Sequence, residues 1–259
     1  MSRTCLSSCC FAAALILPLV SSAQSMDYGA AAAWIDSQRN AALVSVHELQ
    51  IPEKARNAFE KGIERFAAKD AAGSVSEFQK AIKVFPAYYE AYDKMGDAEL
   101  LLNSWEPAET AYKKAIELSR GRYAPPHFGL GLILCNQEKR PGEAEETVRE
   151  GLAMSPTDPG GDFVLSWVLY SMKRMQDAEK SARDAILQAP MFAGARLLLA
   201  QIHLRENNLS AVVQDLDSYL GLGIDSSFNA KIRAIRADAL RGLSGDNVES
   251  GPERPRRPE

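Results

Sequence analysis

Residues 89–120 read YEAYDKMGDAELLLNSWEPAETAYKKAIELSR, and the order of small, bulky and turn-forming residues in this stretch recurs on both sides of it. With Gly96, Ala108, Tyr112 and Ala115 as landmarks, a step back finds Gly62, Phe78 and Ala81, and a step forward finds Gly131, Ala144, Val148 and Gly151. The next copies read Ser166, Ala178, Ala182 and Ala185, then Ala200, Val212, Leu216 and Tyr219. The closing position of each copy is Pro86, Arg120, Pro156, Pro190 and Ile224. Pro156 and Pro190 are 34 residues apart but Arg120 and Pro156 are 36 apart, so the third copy carries a small insertion, expected around 124–126 and 140–142.

Small residues at fixed positions have a physical cause where two antiparallel helices cross, because a larger Cβ substituent would hold the backbones apart. Proline at the close of three of the five copies stops the second helix, since it lacks the donor N–H and clashes with the preceding turn. Self-similarity at this period, with two amphipathic helices per copy, marks a solenoid in which each unit buries its apolar face only against its neighbours. On Tyr92, Met95, Gly96, Ala108, Tyr112 and Ala115, the chain over about residues 53–224 resembles the tetratricopeptide repeat family. The resemblance implies an all-α, right-handed α-solenoid of about five helix pairs plus a C-terminal capping helix. The pairs are read at 53–69 with 71–85, 87–102 with 105–119, 124–138 with 142–155, 159–173 with 176–189, and 192–206 with 209–221. Asp70, Ser104 and Asn208 stand where an N-cap oxygen would accept a free N–H, and Asp225-Ser226 opens the capping helix, whose apolar face is Phe228, Ile232 and Ile235.

Outside the repeats the chain divides further. Residues 1–23 have Arg3, an apolar run from Phe11 to Val20 and small residues at Ser21 and Ala23, the pattern of a cleaved signal peptide; the run is about half of the roughly 20 residues a membrane span requires. A retained anchor is the alternative. Residues 24–51 have no firm reading: an alanine-rich stretch around Trp34 and Ile35, then an alternating segment, 43–51, suited to extended chain. The repeats and capping helix occupy 52–241, and the polar tail 242–259 reads as disordered.

Composition excludes several classes of function. The 259-residue chain has 46% hydrophobic and 25% charged residues and a formal charge of −4, too acidic for a surface that tracks phosphates, so no nucleic-acid partner is expected. Of four cysteines only Cys135 lies beyond the signal segment, so no internal disulfide forms in the mature chain. His47, His127 and His203 are scattered, with neither an H-E-x-x-H nor a C-x-x-C pattern. No catalytic group, cofactor or metal is expected, and His127 and His203 are read as packing residues.

In the family the first helix of each unit lines a concave groove. That register implies a partner-binding groove of Ile63, Asp93, Asp97, Phe128, Leu132, Cys135, Phe163, Trp167, Tyr170, Leu197 and Gln201. Phe163, Trp167 and Tyr170 fall at i, i+4, i+7, a stripe that either faces an occupant or packs between adjacent units. Members that hold a C-terminal carboxylate use a Lys and Asn clamp, whereas Phe59 and Ile63 stand at the matching positions, which favours an apolar or amphipathic peptide. The expected function is therefore an exported, non-catalytic scaffold of a bacterial cell, periplasmic or extracellular, that binds a protein or peptide partner and has no membrane insertion once the signal is removed. The alternative is a structural or self-associating envelope protein whose groove is filled by its own residues 24–51.

Overall fold

The computed structural model describes residues 46–137, 139–224 and 228–244. The segment read as a signal peptide, most of the 24–51 segment, Asp225-Ser226 and most of the polar tail lie outside the described residues. A short helix α1 (Val46–Gln50) precedes five antiparallel pairs, α2 (Glu53–Ala67) with α3 (Ala71–Val84), α4 (Tyr89–Leu101) with α5 (Trp105–Ser119), α6 (Pro125–Asn136) with α7 (Pro141–Met154), α8 (Pro159–Ser171) with α9 (Met175–Gln188), and α10 (Ala193–Arg205) with α11 (Leu209–Leu220). A final helix, α12 (Asn229–Ser244), follows. The expected all-α solenoid is what the chain forms. Two boundaries differ from the sequence reading. Residues 46–50 are helical rather than extended, and α12 runs on to Ser244, with Gly242 so close to Leu209 that an added Cβ would sit 2.6 Å from its Cδ1.

The period is written into the backbone. Every turn from first to second helix of a pair contains one non-glycine residue at positive φ: Lys69, Asn103, Lys139, Lys173 and Asn207, spaced 34, 36, 34 and 34 residues apart. Behind Lys69, for example, the Asp70 N–H reaches back to the Arg65 carbonyl at 2.9 Å, the closing bond of a Schellman turn, and Ser104 to Glu99, Arg174 to Leu169 and Asn208 to His203 repeat it. The turns between pairs are closed differently. Phe85, Ser155 and Ala189, each followed by proline, are driven out of the helical region, since a pre-proline residue is disfavoured there. Where Arg120 replaces that proline, the chain turns left-handed at Arg120 and Gly121 and runs on to Ala124. The two inserted residues of the third copy are divided: the turn at 120–124 is one residue longer than its counterparts, and so is the turn at 137–140, where the Arg140 N–H reaches back six residues to the Leu134 carbonyl rather than five.

The landmark residues are the core. Tyr112 is fully buried with its ring between Gly96 of its own pair and Gly129 of the next; a Cβ on either glycine would lie 2.6 Å or 2.2 Å from a ring carbon. Ser166, which replaces the landmark glycine, is also buried, and its hydroxyl donates to the Ala178 carbonyl at 2.7 Å. Ile232 and Ile235 of α12 close the apolar end of α11, and Arg236 pairs with Asp217 across the same contact. Asp70 and Asn208 cap their helices through Gly73 N–H and Ala211 N–H. Ser104 makes no such bond, while Asp158 supplies an N-cap to α8 through Gly161 N–H at 2.9 Å.

Second helices pack against the first helix of their own pair and of the next, whereas first helices also touch one another in sequence, α2 on α4, α4 on α6, α6 on α8 and α8 on α10. Units that meet more closely on one side than on the other curve toward that side, so α2, α4, α6, α8 and α10 form the inner layer. Among the described residues no helix is long and apolar enough to cross a membrane.

Candidate binding groove

The inner layer changes character along its length. α4 carries the charged Glu90, Asp93, Lys94 and Asp97, whereas α6, α8 and α10 are apolar round most of their circumference and buried accordingly. At the acidic end Asp93 is 1% exposed, with Lys94 Nζ at 3.1 Å from Oδ2 and the Tyr123 hydroxyl donating to the same oxygen at 3.3 Å. Burial pushes the Asp93 carboxyl up to about 7, Lys94 working against it and Asp97 with it. Asp97 accepts from Lys94 Nζ at 2.7 Å and from the Tyr112 hydroxyl at 2.8 Å, which ties this acidic patch to the core aromatic of its own pair. The imidazole Nε2 of His47, on α1, lies 3.1 Å from Glu90 Oε2, and its ring stacks on Tyr89 at 4.3 Å.

At the apolar end the expected stripe is present as a seam. Trp167 donates its indole N–H to Asn136 Oδ1 of α6 at 2.8 Å, and the Tyr170 hydroxyl accepts from Gln201 Nε2 of α10 at 3.0 Å. Trp167 and Tyr170 are therefore packed between units, the second of the two arrangements the spacing allowed, and Arg205 lies 4.6 Å over the Tyr170 ring. Leu132, Cys135 and Leu197 are buried in the same cluster. Phe128 is not on this face: its ring is wedged between Gly151 of α7 and Gly161 of α8. Ile63 is half-buried against Val75 and Phe78. Cys135 donates to the Ser171 hydroxyl oxygen at 3.2 Å, and burial raises its thiol pKa, so it is an inert packing group.

Phe163 keeps an accessible edge and pairs with Phe192 at 5.1 Å where α8 and α10 begin; Met191 beside it is 66% exposed. Gln201 is fully buried and its Oε1 has no hydrogen-bond partner among the described residues. Asn136, Phe192 and Arg205 escape the sequence reading, because register assigns a residue to a face but does not say which neighbour reaches across to it. Two shallow depressions, of about 530 and 600 Å³, lie around Glu145 and Arg149 and around Ser104 and Trp105; neither is lined by a histidine, cysteine or lysine.

His127 and His203 are both buried, as expected of packing residues. Their surroundings differ. Burial lowers the pKa of His127, whose Nδ1 meets the Tyr123 carbonyl oxygen at 3.2 Å, whereas Asp215 and then Glu179, against burial, raise that of His203.

The paired helices, the glycine and alanine landmarks and the recurring Schellman turns describe one motif, and residues 163–227 match the family model of the tetratricopeptide repeat. The described residues form an all-α solenoid of tetratricopeptide repeats. Its solenoid is similar to that of PilW, a widely conserved type IV pilus biogenesis factor, with a TM-score of 0.62 at 15% identity over 75% of this chain and 94% of that one. It is similar to the thermophilic tetratricopeptide protein TTC0263 of Thermus thermophilus, with 0.62 at 18% identity over 72% and 98%. It also superposes on a chain of the anaphase-promoting complex hetero-tetramer Cut9–Hcn1, with 0.67 at 20% identity over 86% of this chain and 42% of that one. At these identities the likeness is one of fold. Among curated proteins no sequence matches the chain.

Proposed function

We propose that the chain is an exported, non-catalytic scaffold that holds an amphipathic peptide segment of a protein partner along its inner layer. The observation that carries the reading is the Phe163–Phe192 pair, an aromatic edge left accessible on an inner layer otherwise closed by packing. Aromatic residues on rigid helices are efficient anchors, because their area is already ordered before binding. The carboxylates of α4 favour a basic group toward the other end of the peptide. Export rests on the apolar, signal-like character of residues 1–23. The test is selection of displayed peptides on the immobilised mature chain, repeated with Phe163→Glu. Enriched peptides that pair basic with apolar residues and are lost in the variant support the proposal; acidic peptides, or enrichment that survives the variant, overturn it.

A second reading is favoured by His47. Its contacts with Glu90 and Tyr89 bring the chain into the described region beside α4, at the inner layer itself. Residues 24–45 include Trp34, Ile35, Leu43 and Val44, apolar side chains of the kind such a groove would take. On that reading a chain starting at residue 46 binds the selected peptides more tightly than the chain starting at residue 24. Equal affinity would remove it.

A further inference from the structure

The side chains around His203 form a cluster between α9, α10 and α11, apart from the expected groove residues. His203, near the end of α10, is 4% exposed and sits between two second helices. Its Nδ1 meets Asp215 Oδ2 of α11 at 2.6 Å, and its Nε2 points at Glu179 Oε1 of α9 at 3.2 Å. Glu206, the first residue past α10, brings a carboxylate oxygen to the same place, so that one ligand atom each from Glu179, His203 and Glu206 lie within 4.8 Å of one another.

Two features separate this from a chance gathering of surface acids. The first is the histidine's orientation. A carboxylate holding Nδ1–H fixes the tautomer that leaves the Nε2 lone pair free, the outer arrangement found behind most metal-bound imidazoles. The second is the charge. Three carboxylates surround one imidazole, and Arg183, an exposed cation, pairs with Glu179 through Oε1, the oxygen that also faces His203. One nitrogen and two carboxylate oxygens with room for water form a donor set suited to zinc and its first-row neighbours rather than to magnesium or calcium, which prefer all-oxygen shells.

We propose that Glu179, His203 and Glu206 bind a divalent transition-metal ion of the zinc type, with Asp215 as the positioning carboxylate. The ion joins α9 of the fourth pair to α10 of the fifth, across a boundary between units, and stiffens the array there. The sequence hides this site because Glu179 and His203 are 24 residues apart and only the stacking of pairs brings them together.

The test uses the full mature chain, freed of metal by chelation, with zinc followed by calorimetry and cobalt by visible absorption. One ion per chain is expected, with a rise in thermal midpoint on adding zinc and a cobalt spectrum of low-symmetry nitrogen and oxygen ligation. Glu206→Gln, at an exposed position that leaves the packing intact, should weaken binding at least tenfold, and Asp215→Asn by about ten- to a hundredfold while the ligands remain. His127→Gln should change nothing. Saturable binding that survives both Glu206→Gln and His203→Gln places the ion elsewhere and overturns the proposal. No saturable binding overturns it outright, leaving His203 as an imidazolium held between Asp215 and Glu179.

Discussion

Asp93 shows how a single side chain sets a pH dependence for the fold. Its carboxyl titrates near 7 in the folded chain because burial disfavours the charge, and near 3.8 without that environment. Between those values the folded state holds a proton that the unfolded state has released. Asp93 therefore contributes stability that is fully present below about pH 4 and is lost as pH rises to about 7. Asp93→Asn removes the titration. The difference in urea midpoint between wild type and variant should move in the variant's favour from pH 4.5 to pH 7.5, and a constant difference would refute the assignment. Gly129 makes a steric prediction at the same scale. Its missing Cβ is replaced by the Tyr112 ring, so Gly129→Ala forces ring or backbone to shift and should destabilise by about 1–3 kcal/mol, despite alanine's better helix propensity. Gly142, whose added Cβ meets nothing, should tolerate alanine.

Helix ends decide the element scale. Asp158 accepts the Gly161 N–H at the start of α8, and Asp158→Ala should lower stability by about 1 kcal/mol. Ser104 occupies the equivalent place before α5 without making the bond, so Ser104→Ala should cost less than about 0.5 kcal/mol. Denaturant midpoints of the two variants check the contrast. Both are cap residue types, yet the sequence reading assigns the role to Ser104 and not to Asp158, since the bond depends on a side-chain rotamer that residue type alone does not set. The left-handed residues of the Schellman turns were equally illegible. Lysine or asparagine stands in each where glycine is usual, so composition does not betray the conformation that packing imposes.

For the whole molecule, the array depends on its ends because each pair is buried only by its neighbours. Removing α12 by ending the chain at residue 224 uncovers Leu216 and Tyr219, and hydrogen exchange should then show protection lost first in α10 and α11 while α4 and α5 remain protected. Uniform loss would mean that the array unfolds as one unit. The sequence by itself determined the all-α class, the number of pairs, the pair boundaries to within about three residues and the capping face of α12. It could do so because small residues and prolines recur at a fixed period, and local sterics act the same way in every copy. Tertiary structure decided which members of the expected groove are accessible: Phe163 keeps an edge, Trp167 and Tyr170 close a seam, and Phe128 turns away between two glycines. It also decided that Glu179, His203, Glu206 and Asp215 meet. A helical register names the face a residue occupies, whereas what lies against that face depends on how neighbouring units curve and stack, and no short-range pattern in this chain records that curvature.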